Sequence, residues 1–181
     1  ATWVLAGSIT FTQGGVMADK VGPVIGGILF LLYIYGIGKA ALMPMHRWLP
    51  AAMVAPTPVS ALLHAVAVVK AGVFTVVKVT VYIFGLDYLR ELPMADVGLY
   101  LAGFTILMAS IIALRQDNLK RRLAYSTVSQ LSYVIMAALI LSPLSTMGAA
   151  LHIAVHAFGK ITLFMAAGAI YTAAHKTKVS E

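Results

Sequence analysis

The sequence predicts an all-α integral membrane protein with about five transmembrane helices. Hydrophobic residues make up 61% of its 181 residues and charged residues only 10%, whereas soluble domains carry roughly a quarter charged residues. The mean hydropathy is +0.93. Apolar runs recur at roughly the twenty-residue length that a helix needs to cross a bilayer. These runs are apolar on every side and lack the alternation of barrel strands, so helices are predicted and strands are excluded.

The composition also excludes several classes of function. There is no cysteine, so disulfide frameworks and thiolate metal sites are ruled out. The net charge is +7, but the basic residues are dispersed between apolar runs, which argues against nucleic-acid binding. The chain begins inside an apolar segment and has no initiating Met. We therefore expect a fragment of a longer subunit that forms one transmembrane domain.

The helices are predicted from apolar length and from the residues that interrupt it. After a short apolar start at 1–12, the spans are predicted at 22–54, 58–84, 95–114, 123–141 and 145–173. The first span is too long for one straight crossing and contains Pro44 and Pro50, whose rings remove amide donors. This helix is predicted to be broken near Pro44. Pro56 and Pro58 end one element and suit the first turn of the next.

The orientation follows from the basic residues, because cytoplasmic loops are enriched in Lys and Arg. Lys20 and Arg90 fall on one side of the predicted membrane. The other side holds Arg47, Arg115, Lys120, Arg121, Arg122, Lys176 and Lys178. This bias predicts a multi-pass protein of the cell (inner) membrane with a cytoplasmic C-terminal tail.

The other four basic residues are lysines inside the apolar spans: Lys39, Lys70, Lys78 and Lys160. A lysine at bilayer depth costs about 2.5 to 3.5 kcal/mol, so such residues usually face a polar interior and mark ion or proton paths. The alternative is snorkelling to the interface, which weighs equally for Lys78. Lys39 lies just before the predicted break, and broken helices recur at the ion sites of transporters.

The last span carries His152, His156 and Lys160 at every fourth position, so the three side chains share one helix face. Imidazole accepts and donates protons near neutral pH, which favours a proton relay. A hydrogen-bonding helix contact or a zinc site are the alternatives, although a third ligand is missing for zinc. His64 lies six residues from Lys70, and the two need not touch.

The span before it contains several small polar residues, which we interpret as helix-packing contacts before any role in ordering water. They are Ser126, Thr127, Ser129, Gln130 and Ser132. The six acidic residues are all expected in loops or the tail. They are Asp19, Asp87, Glu91, Asp96, Asp117 and Glu181.

Three stretches together resemble a known family. They are GIGKAALMPMHRWLPAAMVAPTPVSALLHAVAVVKAGVF, RQDNLKRRLAYSTVSQLSYV and LHIAVHAFGKITLFMAAGAI. They resemble the antiporter-like membrane subunits shared by Mrp-type cation/proton antiporters and respiratory complex I. In the Mrp-type antiporters these are subunits of the A or D type. This resemblance implies part of an inverted-repeat fold with broken helices and a central line of lysines and histidines.

The resemblance also implies roles for individual residues. Lys39 is similar to the family's lysine on the first broken helix, and Lys70 with His64 to the connecting group on the next helix. His152, His156 and Lys160 are similar to the central group that passes protons between half-channels. The matching helix-break and loop prolines are Pro44, Pro56 and Pro58. The family's intramembrane glutamate, expected on an earlier helix, is absent from this chain.

The first functional hypothesis is proton translocation by a subunit of a multi-subunit Mrp-type monovalent cation/proton antiporter. One alternative is a proton-pumping subunit of a respiratory NADH dehydrogenase (complex I) or a related hydrogenase, and only there would the protein be a translocase enzyme. Another is a non-transporting structural helix bundle. No cofactor is expected, because no flavin, quinone or iron–sulfur motif is recognisable. The expected partners are other membrane subunits, the lipid bilayer and protons, with Na⁺ as a further candidate.

Overall fold

The computed structural model describes residues 2–8, 10–12, 14–18 and 20–181, and of residues 64 and 65 the backbone alone. The described part of the chain is helical and holds no β-strand. Its α-helices are α1 (Thr2–Ala6), α2 (Pro23–Gly36), α3 (Trp48–Ala51), α4 (Thr57–Ser60), α5 (Val68–Lys78), α6 (Leu86–Arg90), α7 (Pro93–Arg115), α8 (Leu119–Leu139) and α9 (Pro143–Ala174). The predicted all-α class is confirmed.

The main helices begin where their sequences carry start signals. Pro23, Pro93 and Pro143 occupy the first turns of α2, α7 and α9, where a missing amide hydrogen has no intrahelical partner to lose. α8 begins after Asn118, whose side-chain oxygen accepts from the backbone N–H of Arg121 at 3.1 Å. Such a cap satisfies a donor that the first helical turn leaves open.

The predicted break near Pro44 is present. α2 ends at Gly36, a 3-10 turn follows at Gly38–Ala40, and Ala41 adopts a left-handed conformation with φ 56°. The peptide bond between Met43 and Pro44 is cis. Helical structure resumes only at α3, so the chain crosses this region as two short helical pieces joined by irregular backbone.

Neighbouring side chains satisfy polar groups of this break. The hydroxyl of Thr105 on α7 accepts from the backbone N–H of Met43 at 3.4 Å. The indole Nε1–H of Trp48 donates to the carbonyl of Gly38 at 3.0 Å. Irregular backbone at membrane depth is tolerated only where such partners exist.

α4 and α5 belong to one continuous helix, Thr57–Phe84, with π-helical turns at Ala61–Ala67 and Val79–Phe84. The second π turn is wider than an α-helical turn, and its backbone carbonyls accept hydrogen bonds from the N-terminal segment. The backbone N–H groups of Val16 and Met17 donate to Tyr82 and Ile83 at 3.2 and 2.9 Å. π turns inside α-helices often lie at functional sites, and the first of these carries His64.

Among the described residues, three helices are long and apolar enough to cross a bilayer: Thr57–Phe84, Pro93–Arg115 and Pro143–Ala174. α8 has 21 residues and is more polar, and at 1.5 Å per residue it is about 31 Å long, close to the thickness of a bilayer's apolar core. α2 is shorter, with 14 residues.

The core lies between α5, α7, α8 and α9, with α2 and the break packed against α5 and α7. Val69, Val73, Leu131 and Ile135 are fully buried there. Gly72 is essential to this packing. A Cβ built on it would lie 2.5 Å from the carbonyl carbon of Lys39, so only glycine lets α5 approach the 3-10 turn this closely.

The basic residues assigned to one side of the membrane do gather at one end of the bundle, here called the basic end. Residues 175–181 pair with the loop before α8 there, since the N–H groups of Leu119 and Val179 donate to Thr177 and Asp117 at 2.9 and 2.8 Å. Lys120 Nζ also donates to the carbonyl of Ala55 at 2.6 Å.

Arg90 and Lys20 lie at the opposite end, where they donate to the carbonyls of Leu141 and Ala6 at 2.7 and 2.8 Å. The expectation that all acids lie in loops or the tail is wrong for Asp87 and Asp96. They occupy the first turns of α6 and α7, where a carboxylate interacts favourably with the helix dipole. Both are exposed, and Asp19 lies outside the described residues.

Candidate functional site

Four titratable side chains predicted from the sequence meet inside the bundle: Lys70, His152, His156 and Lys160. We call them the Lys/His cluster. Lys70, His156 and Lys160 keep only 6%, 8% and 4% of their surface exposed, and His152 is half-buried. Buried charged side chains are rare unless they are paired, so their contacts decide what the cluster does.

Lys70 on α5 is joined to α9 by a direct contact. Its Nζ is hydrogen-bonded to Nδ1 of His156, and the contact is buried. The bond forms in either of two states, because the hydrogen belongs to the ammonium group when imidazole is the acceptor and to imidazole when the amine is neutral. One proton can therefore move along this contact from one helix to the other.

The α9 part of the cluster has the geometry that its four-residue spacing predicts. The rings of His152 and His156 are stacked with centroids 5.9 Å apart and planes 5° from parallel. Nε2 of His156 is buried and has no hydrogen-bond partner among the described residues. The nitrogen facing away from Lys70 is thus available for a second transfer.

α8 supplies neutral polar partners to the same face of α9. Oε1 of Gln130 lies 2.9 Å from Nε2 of His152, and Nζ of Lys160 donates to the carbonyl of Leu123 at 3.2 Å. Thr127, fully buried between these levels, donates to the same carbonyl at 2.9 Å. Lys160 is therefore held by backbone oxygen, without a carboxylate.

Gln130, which the sequence analysis grouped with the packing residues, bonds across helices to a member of the Lys/His cluster. Ser129 has a contact between helices, whereas the hydroxyl of Ser132 bonds within α8. The hydroxyl of Ser129 bonds to that of Ser110 on α7 at 2.9 Å, and Ser132 donates to its own helix at Val128. The only sequence signal for Gln130 was its place on α8, two turns after Leu123, and that signal does not say which helix it faces.

Lys39 does not join the cluster. It lies in the 3-10 turn after α2, and its side chain is exposed on this chain, although its backbone touches α5 at Gly72. The side chain of His64 lies outside the described part of the structure. The roles predicted for Lys39 and His64 stay predictions.

Lys78 is placed differently from Lys70 although both are on α5. Its Nζ lies over the rings of Tyr82, Phe11 and Phe74, at 4.3, 4.9 and 5.9 Å from their centroids. Aromatic faces attract an ammonium group. Lys78 thus has a local structural explanation that Lys70 lacks.

The predicted helix-break prolines lie at the bends of the chain. Pro44 lies in the irregular segment before α3, and Pro56 and Pro58 flank the start of α4. The carbonyl of Pro56 accepts from the N–H of Ser60 at 2.9 Å, which closes the first turn of the long helix.

No carboxylate of the described residues reaches the Lys/His cluster. The described residues form two ion pairs, Arg90 with Asp87 and Lys178 with Glu181, and both are exposed and lie away from the cluster. The described residues also hold no group of three metal-ligating side chains. The hydrogen bond between Lys70 and His156 is a contact along which a proton can move from one nitrogen to the other.

Residues 4–181 match the family described as NADH:quinone oxidoreductase/Mrp antiporter, transmembrane. The chain is 40% identical over 141 residues to NAD(P)H-quinone oxidoreductase subunit 5, chloroplastic, of Nuphar advena, which covers 78% of this chain and 18% of that protein. It is 44% identical over 149 residues to the probable A/B subunit of a K(+)/H(+) antiporter from Rhizobium meliloti (strain 1021), covering 82% and 14%. The chain thus spans less than a fifth of the length of these relatives.

Two solved structures have the same fold. A chain of the Mrp complex from Dietzia sp. DQ12-45-1b superposes with a TM-score of 0.81 at 29% identity, covering 94% of this chain and 19% of that one. A chain of the membrane-bound sulfane sulfur reductase (MBS), an archaeal respiratory membrane complex, gives 0.78 at 26% identity, covering 99% and 37%.

Proposed function

Because the chain belongs to the NADH:quinone oxidoreductase/Mrp antiporter transmembrane family, we propose that it is the proton-translocating central part of a longer antiporter subunit. The observation that carries this proposal is the buried hydrogen bond between Lys70 and His156. It joins two helices at the level where apolar surroundings would otherwise exclude charge.

In the proposed mechanism the proton moves between nitrogens of neighbouring helices. The ammonium group of Lys70 gives its proton to Nδ1 of His156, which leaves a neutral amine and an imidazolium. A water molecule at Nε2, the nitrogen without a protein partner among the described residues, then takes a proton from the imidazolium. The ring is left neutral with its hydrogen on Nδ1. It must turn over or exchange this hydrogen to the Nε2–H form before the reloaded Lys70 can pass on the next proton.

Charge repulsion couples the successive sites. Lys70, Lys160 and His152 are close enough to His156 to act on it electrostatically. Two like charges at short range in an apolar interior disfavour each other strongly. A proton that arrives at one group therefore promotes release from the next, and an exchanged cation or a partner subunit could set the direction.

We propose a monovalent cation/proton antiport assembly of several membrane subunits in the cell membrane, with residues 175–181 on the cytoplasmic side. The relative from Rhizobium meliloti, named for K(+)/H(+) antiport, supports antiport and makes K⁺ a candidate besides Na⁺. The second candidate function, the proton-pumping subunit of a quinone-reducing complex, is supported by the 40% identity to the Nuphar advena protein. Copurification with redox-active subunits would favour the second.

Reconstitution tests the proposal directly. The complete assembly is incorporated into lipid vesicles and the dissipation of an imposed pH gradient is followed for Lys39→Ala and Lys70→Ala. Positioned proton donors typically contribute at least about a hundredfold, so we expect the rates of both variants to fall by about that factor. Lys178→Ala, an exposed lysine at the basic end, is the control. Unchanged flux with intact assembly would support a scaffold instead.

A further inference from the structure

The amide of Gln130 on α8 faces the imidazole of His152 on α9, with Oε1 2.9 Å from Nε2. From this contact we propose that Gln130 is a positioning residue, which keeps a hydrogen on Nε2 of His152 so that the translocated proton enters and leaves at Nδ1. The proposal rests on the proposed function and assigns the nitrogen at which His152 takes part in it.

The chemistry of the amide makes this contact select one tautomer of His152, the form with hydrogen on Nε2. An amide oxygen only accepts a hydrogen bond, and the side chain does not titrate. Nε2 must therefore carry its hydrogen while the contact lasts, both when the ring is neutral and when it is an imidazolium. A histidine whose other nitrogen is fixed in this way exchanges its proton at the free nitrogen.

The register of the two helices supports a built contact. Going along α8 from Leu123 to Gln130, the partners on α9 run from Lys160 back to His152, so the helices are antiparallel and in step. Gln130 thus lies two helical turns along α8 from Leu123, whose carbonyl holds Lys160. One face of α8 therefore supplies neutral acceptors to both His152 and Lys160.

Among the described residues, His152 makes its only side-chain hydrogen bond with Gln130. The charged group that acts on it from α5 is Lys70, and from its own helix the parallel ring of His156 stacks on it at 5.9 Å. A stacked parallel ring does not present a nitrogen lone pair in the plane of its neighbour. Among the described contacts, the orientation of His152 is therefore set from α8.

Nitrogen NMR of the complete assembly in lipid vesicles, with ¹⁵N-labelled histidine, tests the proposal. The His152 signal is identified by its loss in His152→Gln. In the unmodified protein we expect the neutral ring with hydrogen on Nε2. Gln130→Leu removes the acceptor at similar size, and the Nδ1–H form should then rise by about fivefold, as expected for the loss of one hydrogen bond.

Two further variants separate positioning from packing. Gln130→Glu retains an acceptor oxygen at the same length and should restore the Nε2–H form. Ser132→Ala, on the same helix, removes a buried hydroxyl that bonds only to its own helix at Val128. Ser132→Ala should change neither the tautomer ratio of His152 nor the proton flux. Flux of Gln130→Leu should fall by about tenfold, the size expected for losing a hydrogen bond to a charged ring.

A His152 signal with hydrogen on Nδ1 in the unmodified protein would overturn the proposal. So would a Gln130→Leu variant that loses flux with its tautomer ratio unchanged, because Gln130 would then serve packing alone. The proposed function fails separately, if Lys70→Ala retains full flux. The tautomer measurement reads the same in either case because it does not depend on transport.

Discussion

Lys70 and His156 stand 86 residues apart in the sequence and are hydrogen-bonded to each other in the interior of the bundle. The bond turns two separate polar positions on apolar helices into one continuous site. The imidazole also gives the ammonium group of Lys70 a neutral acceptor inside the bundle. This relationship connects the fold to the proposed proton path.

The close approach of α5 to the broken segment predicts the effect of Gly72→Ala. The new Cβ would meet backbone atoms of Lys39 and Ala40 at 2.5 to 2.7 Å. Backbone cannot rotate away as a side chain can, so we expect a loss of about 1–3 kcal/mol in stability. A thermal unfolding scan of the purified assembly should show a lower Tm, and proton flux should fall because Lys39 and Lys70 are displaced.

Gly103→Ala is the matched control for that substitution. Gly103 also lies inside a helix, α7, but nothing stands within 4 Å of its added Cβ. Alanine favours the helix by up to about 1 kcal/mol over glycine, so the Tm should stay or rise. Equal losses in both variants would contradict the packing described for Gly72.

Docking of residues 175–181 is predicted to depend on Asp117. The Ser180 hydroxyl, which donates to its carboxylate at 2.8 Å, lowers the pKa of Asp117 below its ordinary 3.8. The docking contribution is therefore complete above that ordinary value and is lost as the pH falls through the lower folded value. Hydrogen exchange at the amides of Val179 and Ser180, corrected for intrinsic rates, should speed up only in that acidic window.

Asp117→Ala should produce the same faster exchange already at pH 7. Asp87→Asn is the control, because its exposed ion pair with Arg90 lies at the opposite end of the bundle. If both substitutions leave the exchange of Val179 unchanged, Asp117 does not hold the segment.

The position of the basic end predicts the orientation in the membrane. The 181-residue sequence has no cysteine, so single cysteines can be introduced at exposed positions of the two ends, with Lys178→Cys and Asp87→Cys. In intact cells a membrane-impermeant thiol reagent should label only the second. In inverted vesicles it should label only the first, and the reverse pattern would contradict a cytoplasmic basic end.

The sequence predicted those parts of the site that depend on local geometry. His152, His156 and Lys160 share a face because helix periodicity alone places every fourth residue together. The break near Pro44 followed likewise from the loss of an amide donor.

Relationships between helices could not be predicted in this way. Nothing in the sequence of α5 states that Lys70 meets His156, because this contact depends on how α5 and α9 rotate when they pack. Gln130 was grouped with its serine neighbours for the same reason. Lys39, which the sequence analysis placed inside an apolar span, lies in the 3-10 turn after α2 and is exposed on this chain.

The most direct test of a shared proton path through Lys70 and His156 is a double-mutant comparison of proton flux in vesicles. The complete assembly is measured unmodified, with Lys70→Met, with His156→Leu and with both, and Lys78→Met is the matched lysine control on the same helix. Residues that act as one unit are strongly non-additive. We predict that each single variant loses about as much flux as the double variant while Lys78→Met stays near the unmodified rate. Independent losses that multiply, or full flux without Lys70, would contradict the account.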